Sequence, residues 1–569
     1  MHTIDEAKKT VHLPLAGAMG AAGAGGGLDI DAELARFEAE ERVRLGLDGA
    51  KVHWKDEVAQ LFTASQREHT TILVCGLTKA HDMFVQGALS GVGYKVECLD
   101  VPSNDALRVG KEFGNRGQCN PTYFTVGNVV QHLIWLRDEK GLSTKEIESK
   151  YLFLTAGACG PCRFGMYATE YRKALRDAGF DNFRVILFQQ QGGLKQATGE
   201  AAGLEMSPTF FWSLLKAIIA GDVLNALAYR VRPYEVIPGS AQEAMEHCKR
   251  IIHAALSENR SILPALLETR RVMAGVKIDR TIVKPKVAII GEFWAMTTEG
   301  DGNYELQKFL ESEGAECDVQ LVTAWILFMV WENVYDTRER MMLRGQDTGR
   351  KSLKEPAEAA KKLLKLKVAD AAVRTIFQSF AWAMGLEGYH LPDMDEVARE
   401  ASAHYNLNVR GGEAHMEVGK LVMTVKQKKA DMVLSVKPFG CMPSSGVSDG
   451  VQSIITEKHP DAVFLPIETS GDGKVNVYSR IQMTLFKARK VAREEYAKTL
   501  ERTGLTIETA RALQEQLPWL RRTLHHAPHT YEVASSASTF VLEAARWQKR
   551  LGRLGGLPAR LLGMATRAA

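Results

Sequence analysis

Nowhere does this sequence run through the roughly 18 to 20 unbroken apolar residues that a membrane-spanning helix needs. Its first residues also lack the basic-then-apolar order of a secretory leader. The expectation is a cytoplasmic protein without a membrane partner. Cysteine is scarce as well. Eight cysteines, at 75, 98, 119, 159, 162, 248, 317 and 441, are too few and too unevenly spaced in 569 residues for a disulfide scaffold, which fits a reducing compartment. Charge of one sign is not in excess: 72 basic and 68 acidic residues leave a net +4, so no global field calls for nucleic acid. A phosphate-binding loop is missing too. Gly345 to Ser352 imitates one, but its glycines are spaced one residue short, Arg350 holds the lysine place and no strand precedes it, so ATP hydrolysis by this chain is not expected.

What is present is an ordinary globular composition, 45% hydrophobic and 25% charged, long enough for about two to four domains. The run Leu15 to Leu28 is nearly all Ala and Gly and reads as a tether before a charged helix from Asp31 to Leu45. From Thr71 a βα pattern begins: strands at 71–74, 94–101, 151–156 and 183–188 alternate with helices at 79–91, 121–140 and 162–178. A second unit starts with the strand 286–291, continues with the helix 303–313 and the strand 317–322, and closes with the strands 431–436 and 462–466 around the helix 448–458. Apolar strands separated by helices predict parallel sheets covered on both faces. The fold expected is therefore α/β, with two Rossmann-like domains, a helical insertion and helical ends. The boundaries are residues 1–65 for the tether and N-terminal helix, 66–275 and 276–485 for the two α/β domains, with the insertion at about 324–426, and 486–569 for the C-terminal helical segment. That last segment ends in a basic tail, with Arg546, Lys549, Arg550, Arg553, Arg560 and Arg567, expected to be solvated.

Chemistry concentrates in Cys159-Gly160-Pro161-Cys162, placed between a strand and a helix, where unpaired N–H groups favour thiolate. Cys119 likewise precedes a helix, and Cys441 lies between the strand ending near Val436 and the helix starting near Ser448. The carboxyl edges of strands form the ligand crevice of open α/β sheets, so these cysteines are expected to converge across an interdomain cleft. Cys75, Cys98, Cys248 and Cys317 read as packing residues. Four readings of the CGPC segment compete. A thioredoxin-like dithiol lacks a Trp before Cys159, and Pro208 leads into a helix where a strand is needed. A zinc site lacks a second CxxC or CxxH. Inert structural thiols are the third reading, and an iron–sulfur cluster held by Cys119, one or both of Cys159 and Cys162, and Cys441 is the fourth.

The segments Ala158-Cys159-Gly160-Pro161-Cys162-Arg163-Phe164-Gly165-Met166-Tyr167 and Gly440-Cys441-Met442-Pro443-Ser444-Ser445-Gly446-Val447, with Gly291-Glu292-Phe293 between them, carry a resemblance. Over most of residues 66–490 the chain resembles the 2-hydroxyacyl-CoA dehydratase and benzoyl-CoA reductase superfamily. Within it, the similar branch is that of acyl-CoA dehydratase activase-related, or CoA-substrate-specific enzyme activase, proteins, which includes double-cubane cluster relatives. The resemblance implies a [4Fe–4S] cluster or a bridged double-cubane cluster, with Cys119, Cys159 and Cys441 as ligands and Cys162 as a fourth ligand or an alternative to Cys159. It implies low-potential electrons delivered by a separate ATP-hydrolysing activator of actin-like fold. The substrate implied is an acyl-CoA or another small molecule, reduced or dehydrated after a one-electron transfer, and a homodimeric unit is compatible with it. A non-catalytic cluster carrier or regulatory partner would share the same ligands. In that frame Gly160, Gly440 and Gly446 let backbone approach the cluster, and Ser444 and Ser445 donate to its sulfurs or to substrate, or simply cap the loop.

Four further groups of polar residues stand out. Glu292 and Glu468 follow strands at the expected cleft edge and are candidates for acid or base, or for capping the next loop. Glu413, His415 and Glu417 alternate, which on a helix scatters them over different faces and speaks against a shared metal site. The lysines and arginines around Lys351 to Lys367 offer a docking surface for the activator. His525, His526 and His529 read as surface residues.

Overall fold

The structure is a computed structural model that describes residues 30–44, 62–157, 162–187, 203–342, 356–409, 411–413 and 415–553. The Ala/Gly run, Cys159, Gly160, the Gly345–Ser352 segment, Arg560 and Arg567 lie outside the described residues. The chain divides into two bodies. The first, residues 1–57, contributes a helix, Ile30–Arg44; the second is everything from Val58 onward.

Two four-stranded parallel sheets organise the second body. The first contains β1 (Thr71–Val74), β2 (Lys95–Cys98), β3 (Tyr151–Thr155) and β4 (Arg184–Leu187), in the order β2-β1-β3-β4. The second contains β5 (Lys286–Gly291), β6 (Glu316–Val319), β7 (Met432–Pro438) and β8 (Phe464–Thr469), in the order β6-β5-β7-β8. The two orders are the same, so the molecule is built from two halves of one topology. Alternation of side chains across the pleat explains why these apolar runs form buried strands. Ile72 and Val74 pack with Leu152, Leu154 and Ile186 on one face, and Leu73 packs with Phe153 and Val185 on the other. In the second sheet Ile289, Leu434 and Val436 meet Ile481 and Leu485 of the helix Lys474–Thr503, while Ile290 and Val433 meet Val418 and Leu421 of the helix His415–Lys426.

Local signals set the helix starts. Thr78, Ser103 and Ser207 each accept a backbone N–H three residues on, and Pro208 stands in the first turn, where its missing N–H costs nothing. The helix Pro208–Val231 is long and apolar enough to cross a membrane, but two-thirds of its apolar window (67%) is buried in protein. It packs against the helices Lys79–Gly91, Ser240–Ser257, Val322–Met342 and Pro356–Met384, so residues of both halves share one core. Its Asp222, buried, accepts the N–H groups of Val322 and Thr323 and stands 3.2 Å from His81 Nε2.

The halves are clasped at the carboxyl edges of their sheets. Glu299 accepts the N–H of Lys79, and Asp301 accepts that of Asn104, so two acids of the second half cap two helices of the first. Tyr304 Oη accepts the N–H groups of Ser470 and Gly471.

Some expectations shift. The segment after Cys162 begins as a 3₁₀ turn, Arg163–Met166, before the helix Tyr167–Asp177, and the segment from Ser448 passes through a π turn before the helix Gln452–Lys458. The histidines near the C-terminus are half-buried rather than surface residues: His525 pairs with Glu543 at 2.9 Å, and His529 bonds the Gln427 carbonyl.

Candidate functional site

Each sheet reverses its strand order at one point, between β1 and β3 and between β5 and β7, the place where open α/β sheets in general hold their ligands. The cysteine loops leave from these places. Cys162 follows β3, Cys441 follows β7, and Glu292 follows β5.

Cys119 reaches them from a helix start. The helices Asn104–Phe113 and Asn120–Asp138 pack backbone to backbone: a Cβ on Gly127 would stand 1.7 Å from the Ala106 carbonyl oxygen. That contact fixes the loop between them. Cys119 is the residue before the second helix, in extended backbone, with Pro121 in the first turn. Its loop is knitted to the Cys441 loop. Asn120 donates its N–H to the Phe439 carbonyl at 3.0 Å and its side-chain amide to the Thr469 carbonyl at 2.7 Å. Gly440 lies against it with φ +79°, and a Cβ there would meet Gln118 O at 3.0 Å and Cys119 Cα at 3.2 Å, so glycine is required.

Cys162 joins through Tyr167. The Tyr167 hydroxyl stands 3.1 Å and the Thr122 hydroxyl 3.2 Å from Cys119 Sγ. Burial pushes the Cys162 thiol up to about 12, with Glu413, Glu292 and Cys119 adding like charge. Burial likewise raises the Cys441 thiol, with Glu292 and Glu413 adding to it and Ser444 hydrogen-bonding against it. The same two carboxylates thus act on cysteines from both halves.

These carboxylates come from two elements. Glu292 accepts the N–H groups of Trp294 and Ala295, capping the short helix Phe293–Thr297, and Glu413 accepts the N–H of Phe293 at 2.7 Å. Glu417 accepts the Ser444 hydroxyl at 2.7 Å. Burial raises all three: Glu292 and Glu413 upward, Glu413 well above the usual range, and Glu417 to about 7. Glu413 and Glu417 therefore face one site, four residues apart, which the alternating pattern with His415 obscured. His415 points elsewhere, its ring 4.6 Å from Trp331 and 5.2 Å from Phe328.

The other expected residues divide. Ser444 joins the site; Ser445 turns its hydroxyl back to the Cys441 carbonyl. Nothing stands within 4 Å of a Cβ at Gly446, whose backbone is helical, so no close approach requires glycine there. Glu468 is exposed and faces Lys437 at 3.9 Å. Met166, Phe439 and Met442, each 55% exposed, flank two of the cysteines with apolar surface. Cys248 and Cys317 are buried in core clusters, and Cys98 donates to the Asp82 carbonyl. Among the described residues no group of three or more His, Cys, Asp or Glu side chains is arranged to hold a metal ion. No protein-family profile matches this chain, and no curated protein is significantly similar to it.

Proposed function

We propose that this chain is an iron–sulfur protein with two Rossmann-like halves and a helical insertion between β6 and β7. It serves as the substrate-reducing or substrate-dehydrating component of an ATP-driven system. The observation that carries the reading is the knitting of the Cys119 and Cys441 loops, from different halves, with the Cys162 turn held against Cys119 through Tyr167. The donor set fits a cluster. Each thiolate of a cubane binds a different iron, so the sulfurs need not converge on one ion, and hydroxyls beside them, as Thr122 and Tyr167 are beside Cys119, tune such a centre. Cys119, Cys162 and Cys441, with Cys159 on the adjoining segment, would hold it. Bound there, the cluster supplies one electron at low potential.

The chain's own residues supply the rest. Cys119 and Cys441 are buried, and their desolvation disfavours added negative charge. The carboxyls of Glu413 and Glu417 bring protons to its wall at neutral pH. Met166, Phe439 and Met442 offer an apolar landing surface to an activator or to a small-molecule substrate such as an acyl thioester.

The test is iron and acid-labile sulfide on protein purified without oxygen, with the EPR spectrum after reduction. About four or more irons per chain, lost in Cys119→Ala and in Cys441→Ala, are expected. Iron-free protein with a Cys159–Cys162 disulfide would sink the reading. Turnover with an activator and ATP then separates an enzyme from a cluster carrier.

A further inference from the structure

Behind the thiols the second half gathers three buried carboxyls, Glu292, Glu413 and Glu417. Glu292 and Glu413 take consecutive N–H groups of one helix start, so their carboxyls are neighbours, and Glu417 stands four residues after Glu413, in the first turn of the helix His415–Lys426. Glu413 and Glu417 are each only 3% exposed. Like charges in a dry site do not all ionise. Protons therefore do the balancing.

Glu417 has an unused side. Its Oε1 is engaged by Ser444, whereas Oε2 is buried with no hydrogen-bond partner. Ser435 Oγ, on β7, and both polar atoms of Gln452, on the helix beside Glu417's own, are buried without partners too. Buried polar atoms of this kind are satisfied in native proteins by water or by something that comes and goes. On its engaged side Glu417 communicates with the thiols through Ser444, which also hydrogen-bonds Cys441.

We propose that Glu417 and Glu413 are a proton store for the centre bound by the cysteines. One electron arriving there from a low-potential one-electron donor is accompanied by one proton from solvent, held on the carboxyl pair, so the charge of the site stays constant. Electron and proton then leave together to a substrate. The proposal rests on the reading that a redox cluster occupies the cysteines.

The charges facing Glu417 are few. Glu292 lies at the end of β5, Lys437 on β7 and Tyr405 before Glu413, while Cys441 is reached through Ser444. Among the described residues Lys437 is the cation that favours its ionised form. From the helix Met394–Ser402, Glu396 and Glu400 engage Gln427 and Lys426 at the far end of Glu417's helix. Burial and Glu292 leave Glu417 titrating at about 7, so an added electron nearby draws a proton onto it around neutral pH.

The experiment is the midpoint potential of the iron-loaded protein against pH, by EPR-monitored titration. One proton per electron makes a tenfold change in proton activity worth about 59 mV. That slope is expected above about pH 7 in the wild type and in Glu417→Asp, and a flat profile in Glu417→Gln at unchanged iron content. A pH-independent wild-type potential overturns the proposal and leaves the cluster standing. A slope that persists in both Glu417→Gln and Glu413→Gln does the same. Protein without iron and sulfide overturns the cluster reading and this proposal with it.

Discussion

Gly440 holds the site together by having no side chain. Its φ of +79° is costly for any other residue, and a Cβ would press on Gln118 O and Cys119 Cα, the backbone that carries the opposing thiol. The contacts are to backbone and not to the end of a flexible side chain, so relieving them means shifting the Cys119 loop itself by a few tenths of an ångström. Gly440→Ala is therefore expected to cost about 1 to 3 kcal/mol in urea denaturation. It is also expected to lower the iron bound per chain more than that loss of stability accounts for, because the strain separates Cys119 from Cys441. A variant with unchanged iron content and unchanged denaturation midpoint would show that the loops tolerate a gap. Gly446 makes a useful contrast. It lies in helical backbone with open space where its Cβ would be, so Gly446→Ala is spared the clash.

Among elements, the segment between the helices Ile507–Gln516 and Ser536–Arg553 acts as a strap, and His525 is its charged fastening. Burial works against the imidazolium, but Glu387 and Glu543 outweigh it, and His525 titrates at about 9 instead of 6.5. Glu387 is lowered in return. A raised folded-state value means that the stabilisation is fully present below about 6.5 and is lost as pH rises through about 9. The melting-temperature difference between wild type and His525→Gln is expected to be largest near pH 6 and to vanish near pH 10; a difference constant with pH would show that the ring only packs. None of this was legible in the three histidines, because the partners of His525, Glu387 and Glu543, lie on other elements and only the fold brings them together. The strands were legible, since Thr71–Val74 and Lys286–Gly291 are continuous apolar runs bounded by polar residues. So was the thiol edge, because Cys119, Cys162 and Cys441 each stand at a helix or 3₁₀ start. The carboxylates were hidden for a physical reason. Glu413 precedes the helix and Glu417 lies inside it, so their shared face depends on where the helix begins, which the Glu-x-His-x-Glu pattern does not declare.

At the scale of the molecule, one strand order occurs twice, and the residues of the candidate site are divided between the two copies. The first half contributes Cys119 and Cys162; the second contributes Cys441 and all three carboxylates. Such a site exists only while the halves stay docked, and the docking is built into the core. The helix Pro208–Val231 leaves the first sheet and buries Val223, Leu224 and Leu227 in a cluster that includes Leu327, Phe328, Phe377 and Met384 from beyond the second sheet's first strands. Its Asp222 caps the helix Val322–Met342, and Glu299 and Asp301 cap helices in the opposite direction. A fragment of residues 66–275 would leave that helix with a bare apolar face and two helix starts without their acidic partners, Glu299 and Asp301, a loss of burial and capping together. It is expected to bind a hydrophobic dye and aggregate. The full chain from Val58 onward should unfold in one step, with tryptophan fluorescence and far-ultraviolet circular dichroism coinciding. Two separated transitions, or a well-behaved 66–275 fragment, would show instead that each half carries its own core and that the thiols meet only when two independent bodies happen to close.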